Sequence, residues 1–161
     1  MTIRTLVTVG VGTYLGTIAL LGNADTASAA FRRVHSSQCH TQYDNAGTNL
    51  FNASSLAVFD PVGLGIYCPA PSDSELPHSA TTTLNVHGHA PGPNTAYSEA
   101  CTKAYNAPAI TCDPISYWAS GDGGAFGLTL THSWQSDPAG MPFVYSWLPT
   151  GSALYGFYMA N

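Results

Sequence analysis

Charged side chains are scarce in this sequence. Lysine, arginine, aspartate and glutamate together supply 8% of its 161 residues, whereas about 25% is usual for a soluble domain. Beyond the first thirty residues the only cations are Arg32, Arg33 and Lys103. So few cations cannot neutralise a run of phosphates, and the composition therefore argues against nucleic acid as a ligand. It also argues against attachment to an anionic membrane surface.

Long apolar runs are missing from the chain after residue 30. The one such run, from Leu6 to Leu21, follows Arg4 and precedes Ala27-Ser28-Ala29, the small-residue pattern that signal peptidase cuts. No later segment approaches the ~20 apolar residues that a membrane-spanning helix needs. We therefore predict a signal peptide over residues 1–29, a secreted or otherwise extracytoplasmic product, and a single domain over residues 30–161.

Signatures of common catalytic sites are also missing. No G-x-S-x-G motif is present, and the serines and histidines follow no diagnostic order. A glycosidase needs two carboxylates across a cleft. Asp60, Asp113 and Asp137 each precede proline, an arrangement typical of turns, which leaves few carboxylates for such a cleft. The sequence thus favours a protein without enzymatic activity.

The four cysteines indicate a disulfide framework. They contain no C-x-x-C pair, and their spacing matches no zinc module. An even number of cysteines in an exported chain predicts two disulfides. The midpoint of Cys101 and Cys112 falls within a Tyr-Asn-Ala-Pro turn, so a hairpin centred there places these two cysteines opposite each other. Cys39 then pairs with Cys68 by elimination.

Short runs with β-strand character alternate with turn residues along the rest of the chain. In the clearest run, Leu84 and Val86 point to one side of a strand while Thr83 and Asn85 point to the other. We predict eight strands, over residues 56–59, 65–68, 81–87, 96–104, 110–118, 125–133, 143–148 and 153–159. This pattern predicts an all-β fold, namely an antiparallel β-sandwich of jelly-roll or immunoglobulin-like type with about eight strands and two disulfides.

Paired histidines form the best candidate for a metal site. His87 and His89 are two residues apart on a predicted strand, so their imidazoles face the same side, as paired ligands do in several β-barrel enzymes. A third ligand is needed, and His132 could supply it, with His78 or Glu99 as alternatives. The competing interpretation is that both histidines face solvent at the end of a strand. The first interpretation implies a bound transition metal, and the second implies no cofactor.

Two oxygen-rich clusters are candidates for calcium. One contains Asp44, Asn45 and Asn49, and the other is Asp73-Ser74-Glu75. Carboxylate and amide oxygens are the ligands that calcium prefers, but neither cluster has the spacing of an established calcium loop. The competing interpretation is that these residues stabilise turns.

Aromatic residues are abundant, with nine tyrosines, six phenylalanines and three tryptophans. On an alternating strand, Tyr145 shares a side with Phe143 and Trp147. In the same way, Tyr155 shares a side with Phe157 and Met159. Exposed rings can stack on sugars or cover a subunit interface. We predict that binding of a glycan, or self-association, uses Trp118, Trp134, Tyr145 and Trp147. The alternative is that the rings fill a core between two sheets.

Several short motifs occur together across the domain. They are Cys39, Tyr67-Cys68-Pro69 followed by Asp73-Ser74, Val86-His87-Gly88, Cys101, Trp147-Leu148-Pro149 and Gly156-Phe157-Tyr158. In this combination the sequence resembles a group of exported bacterial proteins that has no known activity. Members of that group often have a cysteine where this chain has Ser146, and end in an acidic residue where it has Asn161. The resemblance implies export and a shared fold, and it implies no particular function.

These observations lead to one main hypothesis and two alternatives. The main hypothesis is an exported, disulfide-stabilised β-sandwich that acts as a non-enzymatic extracellular binding or surface protein. The first alternative is a small metal-dependent enzyme that uses His87 and His89. The second is a subunit of an extracellular assembly.

Overall fold

Two antiparallel β-sheets packed against each other form the fold. The computed structural model describes residues 30–42, 49–51, 55–105, 108–119, 121–134 and 140–161. The predicted signal peptide, over residues 1–29, lies outside the described residues. The strands in chain order are β1 (Phe31–His35), β2 (His40–Thr41), β3 (Asn49–Phe51), β4 (Leu56–Val58), β5 (Leu64–Pro69), β6 (Thr83–Pro91), β7 (Thr95–Lys103), β8 (Ile110–Cys112), β9 (Ser116–Ala119), β10 (Gly123–Thr129), β11 (Met141–Leu148) and β12 (Ala153–Ala160).

Each sheet contains six of the described strands. Sheet A has the order β10-β6-β12-β4-β3, and β1 also pairs with β12. Sheet B has the order β2-β5-β11-β7-β8, and β9 also pairs with β7. Successive long strands alternate between the sheets, because β6, β10 and β12 belong to sheet A whereas β5, β7 and β11 belong to sheet B. The described part contains no helix long and apolar enough to cross a membrane.

The core lies between the sheets and is made of aliphatic side chains at alternating strand positions. In β6 the buried residues include Leu84 and Val86, and in β11 they include Val144 and Leu148. This is the period-2 pattern of a strand with one buried face. The largest fully buried side chains are Leu56, Ile66, Leu76, Leu84, Leu148, Leu154 and Met159. The all-β sandwich predicted from the sequence is thus confirmed.

The largest differences between the predicted and observed strand boundaries are in three places. The strand predicted to end at His87 continues as β6 to Pro91, so His87 and His89 lie inside the strand. The strand predicted over residues 110–118 is two strands, β8 and β9, since Pro114 between them cannot donate a ladder hydrogen bond. The strand predicted over residues 125–133 ends at Thr129. In addition, β1, β2 and β3 were not predicted, because they are short and lack a clean alternation.

Both predicted disulfides are confirmed. Cys101 and Cys112 are directly opposite each other in the register of β7 and β8, as the position of the turn predicts. Cys39 is bonded to Cys68 and immediately precedes β2, where His40 pairs with Tyr67. Each disulfide therefore joins neighbouring segments of sheet B at positions that lie opposite each other.

Alternation along β12 is interrupted by a β-bulge, which makes one sequence expectation wrong. The register shifts between Leu154 and Gly156. As a result Tyr155 is 43% exposed, while Phe157 and Met159, expected on the same side, are buried. Gly156 has a φ of +132°, a conformation that glycine adopts far more easily than other residues. This glycine therefore marks the place where the strand changes register.

Candidate binding surface

The outward side of sheet B carries aromatic rings where an exposed sheet normally carries polar side chains. Trp147 in β11 pairs with Tyr97 in β7, which pairs in turn with Tyr117 in β9. Two residues before Trp147 on β11, Tyr145 pairs with Tyr67 in β5. We use the name aromatic face for the outward side chains of Tyr67, Tyr97, Tyr117, Phe143, Tyr145 and Trp147.

The rings of the aromatic face contact one another in an unbroken chain. The centroid of Tyr67 is 5.7 Å from Phe143 and 5.1 Å from Tyr145. Tyr97 lies 6.2 Å from Tyr145 and 5.7 Å from Trp147, and it lies 5.9 Å from Tyr117. All these separations fall within the range of favourable aromatic pairs. Because neighbouring rings support one another, the face is a pre-organised surface.

Aliphatic side chains extend this surface at one end. Met141 in β11 pairs with Lys103 in β7, and Lys103 pairs with Ile110 in β8. Ile110 is 53% exposed and Met141 is 49% exposed. Tyr117, at the opposite end of the aromatic face, is 64% exposed. Large apolar side chains therefore remain open to solvent at both ends of the same sheet face.

Glu99 is the carboxylate within this surface. It pairs with Tyr145 in the register and contacts the shallow hollow beside the Cys101–Cys112 disulfide. Burial raises the pKa of Glu99 above its ordinary value, because its charged form is partly desolvated. Burial also raises the pKa of the Tyr145 hydroxyl, and the neighbouring Tyr97 adds to the shift. The surface therefore disfavours negative charge.

Glu99 also belongs to a cluster that resembles a metal site. Its carboxylate oxygen and the sulfur atoms of Cys101 and Cys112 lie within 4.8 Å of one another. The two sulfurs are joined in a disulfide, and a metal needs the thiolate form of cysteine. In the oxidised protein this cluster therefore has one ligand to offer, the carboxylate.

The four predicted binding residues separate into two pairs. Tyr145 and Trp147 both lie on the aromatic face. Trp118 is half-buried against the core, with its ring 5.7 Å from that of Phe126. Trp134 is 3% exposed, so its ring packs inside the protein and is not available to a surface ligand.

The predicted metal ligands also lie apart. His87 and His89 both project from the outward side of sheet A, as expected for positions two residues apart. His132 follows β10, whose last residue, Thr129, pairs with Asn85 near the start of β6, whereas His89 is near the end of β6. Among the described residues these three histidines do not form a group with neighbouring ligand atoms. The histidine metal site stays a prediction.

The alternative third ligands have neighbours of their own. The Nε2–H of His78 donates a hydrogen bond of 3.0 Å to the carbonyl oxygen of Ala70, and its ring lies against Trp134. The ring of His132 also contacts Trp134, at 5.4 Å between ring centroids. Burial lowers the pKa of His132, and the nearby Asp113 carboxylate opposes this shift. Both histidines therefore pack against a buried tryptophan.

Of the two predicted calcium clusters, one is described in full. Both carboxylates of Asp73-Ser74-Glu75 bind Arg32, at 2.5 Å for Asp73 and 2.8 Å for Glu75. Asp73 also accepts the backbone N–H groups of Glu75 and Leu76. These contacts match the turn interpretation of this cluster. Asp44 and Asn45, from the other cluster, lie outside the described residues.

Sequence reasoning missed several members of the aromatic face. Tyr67, Tyr97 and Tyr117 come from three different strands, and their pairing depends on the order of strands in sheet B. One signal was available: Tyr97, Glu99 and Cys101 alternate with Ala96, Ser98 and Ala100, and the small residues of that second set pack inside the sandwich. Such a pattern places the larger side chains outward.

No protein-family model matches the sequence, and no curated protein matches it.

Proposed function

We propose that the protein is exported and acts outside the cytoplasm as a non-enzymatic docking protein that self-associates through its aromatic face. The observation that carries this proposal is the difference between β6 and β11, one long strand from each sheet. The outward positions of β6 in sheet A are Thr83, Asn85, His87 and His89, all polar, whereas those of β11 in sheet B are Met141, Phe143, Tyr145 and Trp147, all apolar or aromatic. An antiparallel sheet with one solvated face normally alternates apolar inward and polar outward side chains. The outward side of sheet B departs from that rule, as the surface of a protein–protein interface does.

The composition of the aromatic face fits a protein contact. Interface cores are enriched in tyrosine, tryptophan, phenylalanine and methionine and depleted in charge. The face has the three aromatic types, Met141 lies at its end, and the charged residues beside it are Glu99 and Lys103. Small-molecule sites are clefts of roughly 300–1,000 Å³. The described hollow on this surface, beside the Cys101–Cys112 disulfide, has a volume of about 130 Å³, which favours a second protein surface over a glycan.

The two charges support a second copy of the chain as the partner. Glu99 and Lys103 lie on β7 at equal distances from Cys101, on opposite sides of it. A two-fold axis above Cys101 can lie parallel to the sheet and perpendicular to β7. Rotation about this axis stacks β7 of one copy on β7 of the other, with the two strands running in opposite directions. Glu99 of each copy then lies over Lys103 of the other, so the surface is complementary to itself in charge as an isologous dimer requires. Sheets that pack in this way are about 10 Å apart.

Export is supported by the covalent framework. Two disulfides persist in oxidising compartments and are rare in the cytosol, and the sequence begins with a segment typical of signal peptides. The resemblance to exported bacterial proteins belongs to the same proposal. It adds no activity, and the docking role rests on the aromatic face alone.

Sedimentation equilibrium of the oxidised protein, residues 30–161, tests the proposal. We expect a reversible dimer at concentrations of about 100 μM or below. Glu99→Lys and Lys103→Glu should each weaken the dimer by about tenfold, because each places like charges opposite one another, and the double variant should restore it. A protein that stays monomeric at this concentration contradicts the proposal.

Two further measurements define the surface. Met141→Asp places a charge on the face and should abolish dimerisation. Phe31→Asp is the matched control, since Phe31 is 42% exposed and lies on β1 of sheet A, the opposite sheet from the aromatic face. If the chain is monomeric and a panel of neutral polysaccharides binds it with a loss on Trp147→Ala, the face is a glycan site and the proposed self-association is wrong.

A further inference from the structure

The outward side of sheet A carries a groove where β1, the turn Ser36–Gln38 and β12 meet. Its volume is about 640 Å³, within the range of roughly 300–1,000 Å³ that is typical of small-molecule sites. Gly156 pairs with His35 on β1 and with His87 on β6, and it has no side chain to fill the space between them. The groove therefore depends on a glycine between two larger side chains.

The polar side chains of the groove can each donate a hydrogen bond, and one of them is a cation. Among the described residues, those that line it with polar side chains are Arg33, His35, Gln38, His87, Tyr155 and Tyr158, and none of them has a carboxylate. The guanidinium of Arg33 lies 5.1 Å from the centroid of the Phe31 ring. Within the described ranges, no carboxylate forms an ion pair with Arg33. An unpaired arginine in a groove without acidic residues favours an anion.

The neighbouring arginine provides a contrast. Arg32 points to the other side of β1, where Asp73 and Glu75 both bind it. Successive residues on a strand face opposite sides. Arg32 therefore stabilises the fold through its ion pairs, whereas Arg33 faces the groove. In a chain with a formal net charge of −5, an unpaired cation in a concave site is a specific feature.

Two stacked aromatic rings form one wall of the groove. His87 and Tyr158 stack with centroids 5.5 Å apart and planes 15° from parallel. The Tyr158 hydroxyl accepts a hydrogen bond of 2.9 Å from the amide nitrogen of Asn85, and the Asn85 oxygen accepts one from Thr129. These bonds hold the tyrosine ring in place, so a planar ligand would meet a prearranged wall.

We propose that this groove binds a small aromatic monocarboxylate. The forked guanidinium of Arg33 matches the two oxygens of a carboxylate, with which it can form two parallel hydrogen bonds. A single unpaired cation balances a single negative charge, which favours a carboxylate over a doubly charged phosphate. The apolar part of the ligand lies along the His87–Tyr158 wall. This site is on the opposite sheet from the aromatic face and does not depend on the docking proposal.

Titration with 4-hydroxybenzoate, followed by NMR or calorimetry, tests the site. We expect saturable binding with a Kd of about 1 mM or below, as suits a ligand of this size. The neutral analogue 4-hydroxybenzamide should bind at least about tenfold more weakly, because it lacks the charge that Arg33 recognises. Equal affinity for the two compounds overturns the proposal, and so does the absence of saturable binding by the carboxylate.

Variants of the two arginines locate the site. Arg33→Gln should weaken binding of 4-hydroxybenzoate by about tenfold, and Arg33→Lys, which keeps the charge without the fork, should weaken it less. Arg32→Gln is the matched control and should change the Kd by less than about twofold, because Arg32 faces away from the groove. Comparable losses on Arg33→Gln and Arg32→Gln, or no loss on Arg33→Gln, contradict the assignment. Unfolding midpoints of all three variants verify that each is folded.

Discussion

The rings of Tyr97 and Trp147 stack across β7 and β11, with centroids 5.7 Å apart and planes 11° from parallel, on the side of sheet B that points away from the core. A stacked pair on an outward face stabilises the sheet in addition to any role it has in docking. The two contributions can be separated, because one acts in the monomer and the other needs a partner.

A double-mutant cycle on this pair should show a direct coupling. We expect Tyr97→Ala and Trp147→Ala to lower the free energy of unfolding by less together than the sum of the single effects, with a coupling of about 0.5–1.5 kcal/mol. Urea denaturation at low protein concentration measures it in the monomer. Phe31→Ala combined with Trp147→Ala serves as the control, since these residues lie on different sheets and should be additive. Additivity of the Tyr97 and Trp147 effects would show that the stacking contributes nothing.

The sequence predicts structure well where apolar and polar residues alternate strictly. Leu84 and Val86 alternate with Thr83 and Asn85, so both the strand and its inward side follow from the sequence. The Cys101–Cys112 bond follows from a similar local argument, because a turn at the midpoint sets the register of its hairpin. In both cases neighbouring residues along the chain carry all the information that is needed.

The inward side of β11 could not be predicted, because neither side is clearly the more polar. Phe143, Tyr145 and Trp147 alternate with Val144, Ser146 and Leu148, and the aromatic set suits a core at least as well as the other set. Packing of the two sheets decides between them, and it buries the other set. The aromatic face is therefore a product of strand order, which local patterns do not encode. The bulge in β12 is missed for a related reason, since one inserted residue reverses every later position.

The glycine at that bulge should tolerate no side chain. A Cβ at Gly156 would collide with the carbonyl oxygen of Val34 in β1, and its φ of +132° is unfavourable for any other residue. We expect Gly156→Ala to lower the free energy of unfolding by at least about 2 kcal/mol. At Gly127, the matched control, an added Cβ would meet only the His87 ring at 3.4 Å, so Gly127→Ala should change stability little. Chemical denaturation of both variants makes the comparison, and equal effects would contradict it.

Acid should weaken the contact between β1 and the segment after β5. The hydrogen bond from the N–H of Leu76, together with Arg32, lowers the pKa of Asp73 below its ordinary value of 3.8. A depressed pKa stabilises the folded state above 3.8, and this stability is lost as the pH falls from there through the folded-state value. Asp73→Asn keeps the oxygen that accepts the N–H but loses the charge. Its unfolding midpoint should therefore depend less on pH below about 4 than that of the wild type, as thermal melts would measure.

The free energy of unfolding should show a second dependence on pH, at higher pH, because of His132. Burial lowers the pKa of this histidine from 6.5. The imidazole therefore binds a proton less readily in the folded protein than in the unfolded chain. Stability should then fall as the pH drops below 6.5. His132→Phe keeps the ring against Trp134 and should flatten this part of the profile. Asp113→Asn removes the opposing carboxylate and should deepen the loss. A wild-type profile that matches that of His132→Phe would show that the imidazole does not titrate in this window.

The two disulfides should differ in how much they stabilise the fold and in which surface they support. Cys39 and Cys68 are separated by 29 residues, and Cys101 and Cys112 by 11. In the chain-entropy model these loops correspond to about 3.6 and about 2.8 kcal/mol. Replacement of the first pair by alanine should therefore cost more in urea denaturation than replacement of the second.

The same two variants should affect opposite faces, because each disulfide lies beside a different site. Cys39 directly follows the turn that contributes Gln38 to the groove, so loss of its bond should weaken carboxylate binding and leave dimerisation unchanged. Cys101 lies under the proposed two-fold axis, so loss of its bond should weaken the dimer and leave carboxylate binding unchanged. Calorimetry and sedimentation on both alanine variants measure the two properties independently. If each variant impairs both properties equally, the disulfides act only through global stability, and the separate placement of the two sites has no consequence.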